Sequence, residues 1–114
     1  MKNSQRKRYK PTAKQRGAVS QETYQDVMER DNHQCQRCGV FAGQLDKHGF
    51  PVRLELAHLI NRSQGGTGEA DNLIVLCGPS VNSGTCHNWA DGTKAGREWR
   101  KQQRERLKGE NNND

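Results

Sequence analysis

The sequence predicts a small α+β domain stapled by four cysteines. A chain of 114 residues, 30% hydrophobic and 28% charged, has material for one small domain and not for a large core. Two short apolar runs, RLELAHLI and NLIVLC, have strand character and are flanked by stretches with helical patterning. The cysteines fall into two pairs, Cys35 with Cys38 and Cys77 with Cys86, which bracket the two strands.

The elements follow in order. Residues 1–19 open without apolar periodicity and contain Pro11, so they are expected to form a disordered arm, with order beginning near Ser20. Ser20 suits an N-cap for a helix through about Asp31, with Glu22 at the positive end of the helix dipole and Tyr24, Val27 and Met28 on one face. HQCQRCGVF is a two-cysteine turn, followed by the polar, hairpin-like AGQLDKHGFPV and then the first strand. NRSQGGTGEAD, with three glycines and almost nothing apolar, reads as an exposed loop before the second strand. GPSVNSGT is an insertion, CHNWADG a short helix, and a Lys/Arg-rich helix runs from about Ala95 to Lys108. The body thus spans 20–93 and a basic helix with a polar tail spans 94–114.

Charge is distributed unevenly along this order. Residues 1–16 carry seven basic residues and no acid, and residues 94–108 carry seven against Glu98 and Glu105, whereas residues 17–93 hold five basic and nine acidic ones. An acidic body with two basic ends suits a protein that grips a polyanion, since neutralising phosphates with Lys and Arg releases counterions whatever the base sequence. Lys7 and Arg8 in the arm and Arg97, Arg100, Lys101 and Arg104 in the helix are the candidate contacts; a solvated tail is the plainer alternative. No stretch approaches the roughly 18 apolar residues of a membrane helix, and no apolar segment follows the basic start as in a secretory signal, so an intracellular, cytoplasmic protein is expected.

Four cysteines in two pairs suit one tetrahedral Zn²⁺ with thiolates at about 2.3 Å. Disulfides would need an oxidising compartment, and free buried thiols are the third option. A body this small has reason to use a metal, because a structural zinc site supplies roughly 10–16 kcal/mol of apparent binding energy.

Beside the cysteines lie His58 at the end of the first strand, Asn72 at the start of the second, and His87 directly after Cys86. This order, with the CxxC flank, the AHLINRSQGG loop entry, the NLIVLC strand and the CH helix start, resembles the HNH endonuclease family, zinc-stapled and phage-like, over residues 20–95. The resemblance implies a ββα-metal finger that hydrolyses DNA phosphodiester bonds. In that scheme His58 is the general base, Asn72 bridges the long loop and orients His58, and His87 binds a catalytic divalent ion such as Mg²⁺, Mn²⁺, Ni²⁺ or Zn²⁺. The zinc held by four thiolates is structural, having no open position. Each residue also has a plain reading: a capped strand-end histidine, a loop cap, an exposed helix residue. Arg62 is a candidate phosphate contact, or a surface arginine; Trp89 and Trp99 read as packing residues more than stacking platforms, and His33 and His48 as solvated.

The sequence departs from the family pattern twice. The residue before the base, commonly a metal ligand, is Ala57. The histidine that often follows four residues after His87 is replaced by Asp91, itself a competent hard ligand. Strand alternation places Glu55 on the face of Ala57, where it could supply a carboxylate; waters and substrate phosphate are the other source. The expected activity is a nuclease of low sequence selectivity on duplex DNA, with a catalytically inactive nucleic-acid-binding module, or a nuclease targeted by a protein partner, as alternatives.

Overall fold

The computed structural model describes Gln15 and residues 17–111. Helix α1 covers Gln21–Arg30, strand β1 Arg53–His58, strand β2 Leu73–Gly78, helix α2 Cys86–Gly92 and helix α3 Lys94–Asn111. The α+β class, the element order and both strands match the sequence reading. The basic residues Lys7 and Arg8 lie outside the described residues.

Ser20 caps α1, its Oγ accepting from the Thr23 amide at 3.0 Å. Beyond Asp31 the chain reverses through two left-handed residues, Asn32 (φ 59°) and His33 (φ 55°), and enters the cysteine knuckle. Val27 and Met28 are buried, but Tyr24, placed on the same face by the sequence, is 41% exposed.

The strands pair antiparallel, with Arg53 opposite Gly78 and His58 opposite Leu73. Each face of this narrow sheet carries its own apolar cluster. Leu73 and Val75, with Leu54 and Leu56, pack on Val27 and Met28 of α1. Ala57, Ile74 and Leu76 pack on Cys86 and Ala90 of α2 and Leu107 of α3. Burial on both faces explains why NLIVLC reads as an unbroken apolar run and not as an alternation. Thr85 caps α2 through the Asn88 amide, and Thr93 Oγ1 accepts from the Gly96 amide at the start of α3. A Cβ on Gly96 would overlap the Trp89 carbonyl, so only glycine lets α3 cross so close to α2.

One expectation is corrected. The segment 17–19, assigned to a disordered arm, is packed: Gly17 is buried and Val19 lies against the α1 cluster. The reason is the absence of a side chain at Gly17 and at Gly68, which lets Gly17–Ala18 run flat against the loop, an arrangement invisible to apolar periodicity. The loop 61–71 is mainly exposed, as expected, with two short 3₁₀ turns, Arg62–Gln64 and Ala70–Asn72, at its ends and Gly66 buried within it.

The free edge of β2 is satisfied by polar groups. Asp31, 3% exposed, accepts from the Val75 amide at 3.0 Å, and Val75 O accepts from the Gln36 amide. Arg30 grips the same carboxylate with Nε and Nη2 and donates to the carbonyls of Ala70 and Leu73. Removing the carboxylate would leave the Val75 amide without its acceptor and the Arg30 guanidinium without its counter-charge, held only by the Ala70 and Leu73 carbonyls. Asp31→Ala is therefore expected to lose roughly 2–4 kcal/mol in urea unfolding, and Asp31→Asn less, since its amide oxygen still accepts from Val75.

Candidate functional site

The four cysteines come from three segments. Cys35 and Cys38 lie on the knuckle after α1, Cys77 at the end of β2, and Cys86 opens α2. Their sulfurs all lie within 4.8 Å of one another, and Cys38 Sγ and Cys77 Sγ are 3.9 Å apart. That spacing is far beyond a disulfide bond. A tetrahedron with bonds of about 2.3 Å has an edge of about 3.8 Å, so the quartet fits a tetrahedral metal ion such as zinc. Amides of Cys38 and Cys86 point at the sulfurs of Cys35 and Cys77, and Arg37 Nη1 lies 3.5 Å from Cys86 Sγ.

Burial pushes the thiols of Cys77 and Cys86 up, and neighbouring cysteines add to the shift. Burial acts the same way on Cys35, but the hydrogen bonds from Cys38, Arg37 and Cys77 outweigh it and hold this thiol below its ordinary value. Four thiolates this close repel one another, and a divalent cation offsets that repulsion. Arg37, which the sequence reading passed over, also stacks 3.7 Å above the Trp89 ring, and Trp89 meets Trp99 edge-on at 6.0 Å. Both tryptophans are packing residues against the core, as expected.

A second polar group surrounds a cleft of about 320 Å³ lined by Leu56, His58, Asn61, Arg62, Ser80, His87 and Asp91. His58 and His87 therefore face one space, although 29 positions separate them in the chain. His87 lies one turn before Asp91 on α2, with Nε2 at 3.4 Å from Asp91 Oδ2. Its other ring nitrogen, Nδ1, donates to Glu55 Oε1 at 2.8 Å. The same carboxylate oxygen accepts from the Ser80 amide. Glu55 thus holds the His87 ring from behind, keeps the hydrogen on Nδ1 and turns Nε2 toward Asp91. This is a different use of Glu55 from a carboxylate substituting at position 57. Ala57 itself is fully buried among Ile74 and Leu76.

His58 ends β1, with Nε2 at 2.7 Å from the Gly17 carbonyl. Burial lowers its pKa below the ordinary 6.5; nearby Arg62 and His87 add to this, while the Gly17 bond and Asp91 act against it. Asn72 is fully buried and closes the loop: Oδ1 accepts from the Ile60 amide at 2.8 Å, and Nδ2 donates to the carbonyls of Ile60 and Thr67. Arg104 supplies the second donor to Oδ1 at 3.1 Å. With both acceptor and both donor positions engaged, Asn72 has none for His58. The expected hydrogen bond from Asn72 to His58 is replaced by support of Ile60, two residues further on.

The basic helix divides into two sets. Arg97 and Lys101 are exposed, as a polyanion contact requires, and Lys101 pairs on the surface with Glu98 at 3.3 Å. Arg100 is only 5% exposed and donates to Asn61 Oδ1 at 2.8 Å and to the His58 carbonyl at 3.3 Å, with Asp91 Oδ1 at 3.6 Å. Arg104, bonded to Asn72, is half-buried. Both had been assigned to nucleic-acid contact; the structure uses them to hold the loop under the cleft, a role that charge patterning cannot distinguish from an exposed one. Arg62 is exposed at the cleft rim, and His33 and His48 are exposed. Asn61 was not singled out; it lies within the AHLINRSQGG loop entry, where nothing in residue type or spacing marks it as the partner of Arg100. No helix among the described residues is long and apolar enough to cross a membrane.

No protein-family model matches this chain, and no curated protein sequence matches it.

Two outcomes follow from this geometry. The purified chain is expected to carry one tightly held metal ion per molecule by elemental analysis, and a strong chelator, or Cys77→Ser, is expected to abolish its cooperative unfolding transition. Arg100→Ala, which removes a buried guanidinium from Asn61 and the His58 carbonyl, is expected to lower the urea midpoint, whereas Arg97→Ala, on the exposed side of the helix, is expected to leave it unchanged.

Proposed function

We propose that the protein is a metal-dependent endonuclease of the HNH type, built on a ββα finger with a structural zinc at the four cysteines. The observation that carries this reading is the convergence of His58, His87 and Asp91 on one cleft whose rim holds Arg62. His58 has the properties of a general base: it borders the cleft and its lowered pKa keeps it neutral at physiological pH. It would take a proton from water as the water oxygen bonds to phosphorus and the bond from phosphorus to the leaving oxygen breaks, the leaving oxygen being protonated from solvent.

His87 Nε2 and Asp91 are the residues that would hold the catalytic divalent ion. Two protein ligands are few, yet Mg²⁺ commonly keeps several waters and binds through one or two carboxylates together with substrate phosphate. Such an ion would offset negative charge on the scissile phosphate and the leaving oxygen. Arg62 is placed to attract the phosphate backbone, and the exposed Arg97 and Lys101, with the arm residues Lys7 and Arg8, would add affinity independent of sequence. Duplex DNA is the proposed partner.

The second reading is a nucleic-acid-binding module without catalysis. It is favoured by Ala57 and by the Arg100 guanidinium beside Asp91, which competes with a cation for that carboxylate. Supercoiled plasmid incubated with Mg²⁺, Mn²⁺, Ni²⁺ or EDTA separates the two. The nuclease predicts nicking that requires added metal and falls at least about a hundredfold in His58→Ala. Intact plasmid under every ion, with DNA still retarded on a gel, overturns it in favour of the module. The pH profile adds a check. Neutral His58 is the active form and its pKa is depressed, so the rate should rise with pH along an acidic limb centred below 6.5 and be flat above it.

A further inference from the structure

The segment before α1 touches the cleft at one place. Gly17 is buried, and its carbonyl oxygen lies 2.7 Å from His58 Nε2. A carbonyl oxygen only accepts, and neutral imidazole carries one hydrogen, so that hydrogen must be on Nε2 and the lone pair on Nδ1. Two steric facts hold the segment there. A Cβ on Gly68 would overlap the Ala18 carbonyl, and a Cβ on Gly17 would overlap the Arg62 side chain. Gly17–Ala18 therefore lies directly against loop residues 62–68, the same loop that Asn72 and Arg100 anchor from below.

We propose that Gly17–Ala18 is a strap that fixes the tautomer of His58 and makes Nδ1 the proton-accepting atom, Gly17 being a positioning residue and Gly68 the residue that lets the strap seat. This rests on the nuclease reading of His58 for its consequence in catalysis, but the tautomer itself is a property of the resting protein. The strap also joins the basic arm to the base. In the sequence, the seven cations of residues 1–16 immediately precede Gly17, whose carbonyl meets His58.

Long-range ¹H–¹⁵N correlation spectra of the full-length, zinc-loaded chain, recorded where imidazoles are neutral, test this directly. His58 is expected in the Nε2–H form in the native chain. In Gly68→Ala, whose new methyl forces the Ala18 backbone away, the Nδ1–H form should appear. In the same variant the plasmid nicking kcat should fall roughly ten- to hundredfold with KM little changed, since misplacing a reacting group costs turnover more than binding. Gly17→Ala, which meets only the flexible Arg62 side chain, should act in the same direction to a smaller extent and guards against a folding failure of Gly68→Ala. Gly92→Ala, which faces open space, should leave spectrum and rate unchanged. An Nδ1–H tautomer in the native chain, or an unchanged tautomer in both strap variants, overturns the proposal. A strap-dependent tautomer in a protein that cuts no plasmid upholds the strap and overturns the nuclease reading instead.

Discussion

The four-thiol cluster is the constraint on which the remaining geometry depends. It ties together the knuckle after α1, the end of β2 and the first residue of α2, three segments that otherwise meet through a narrow, two-stranded sheet. His87 is the residue after Cys86, so the thiolate that starts α2 also sets where the cleft-facing histidine begins. Asp91 follows one turn later on the same helix. A metal ion at the cysteines would therefore position the polar group of the cleft without contacting it, and the sulfurs of Cys35, Cys77 and Cys86 double as part of the apolar core on that face of the sheet.

The other wall of the cleft is held by neutral and charged hydrogen bonds in place of apolar packing. Between β1 and β2 the chain makes a long excursion that offers almost nothing hydrophobic. Its polar groups near the site are met by buried side chains: Asn72 on the backbone of Ile60 and Thr67, and Arg100 on the His58 carbonyl and the Asn61 side-chain oxygen. Such a loop is exacting, because each of these donors and acceptors is costly to leave unmatched once buried. These bonds restrain the loop at the point where His58 ends β1.

The features legible in the sequence are those with a local signature. The Ser20 cap, the strands at RLELAH and NLIVLCG, the CxxC turn and the helix after Thr85 are written in residue type and period, and the structure places them within a few residues of expectation. The meeting of His58, His87 and Asp91 at one cleft was expected from the resemblance to the HNH pattern and not from strand or helix periodicity. What escaped was long-range. Gly17 against His58, Arg37 on Cys86 and Trp89, Asn61 on Arg100 and Glu55 behind His87 join residues 32 to 52 positions apart with no pattern in between. Arg100 and Arg104 show the limit most plainly: helical periodicity puts charges on a surface, and only the packed loop reveals which of them face inward.

Ala57 gains a physical explanation from this arrangement. Its side chain is fully buried with Ile74 and Leu76, opposite α2. A carboxylate or imidazole there would have to be drawn out of an apolar cluster, at a desolvation cost that only a bound cation could offset. This chain instead keeps an apolar residue at that position and spends the nearby carboxylate, Glu55, on the far side of His87. The result is that Glu55 braces the His87 ring through Nδ1. On the proposed reading the cation is thus left with waters and substrate phosphate as its remaining partners, so its affinity for the free protein is low and rises when DNA is present. Metal and DNA binding are then thermodynamically linked, each strengthening the other by the same factor.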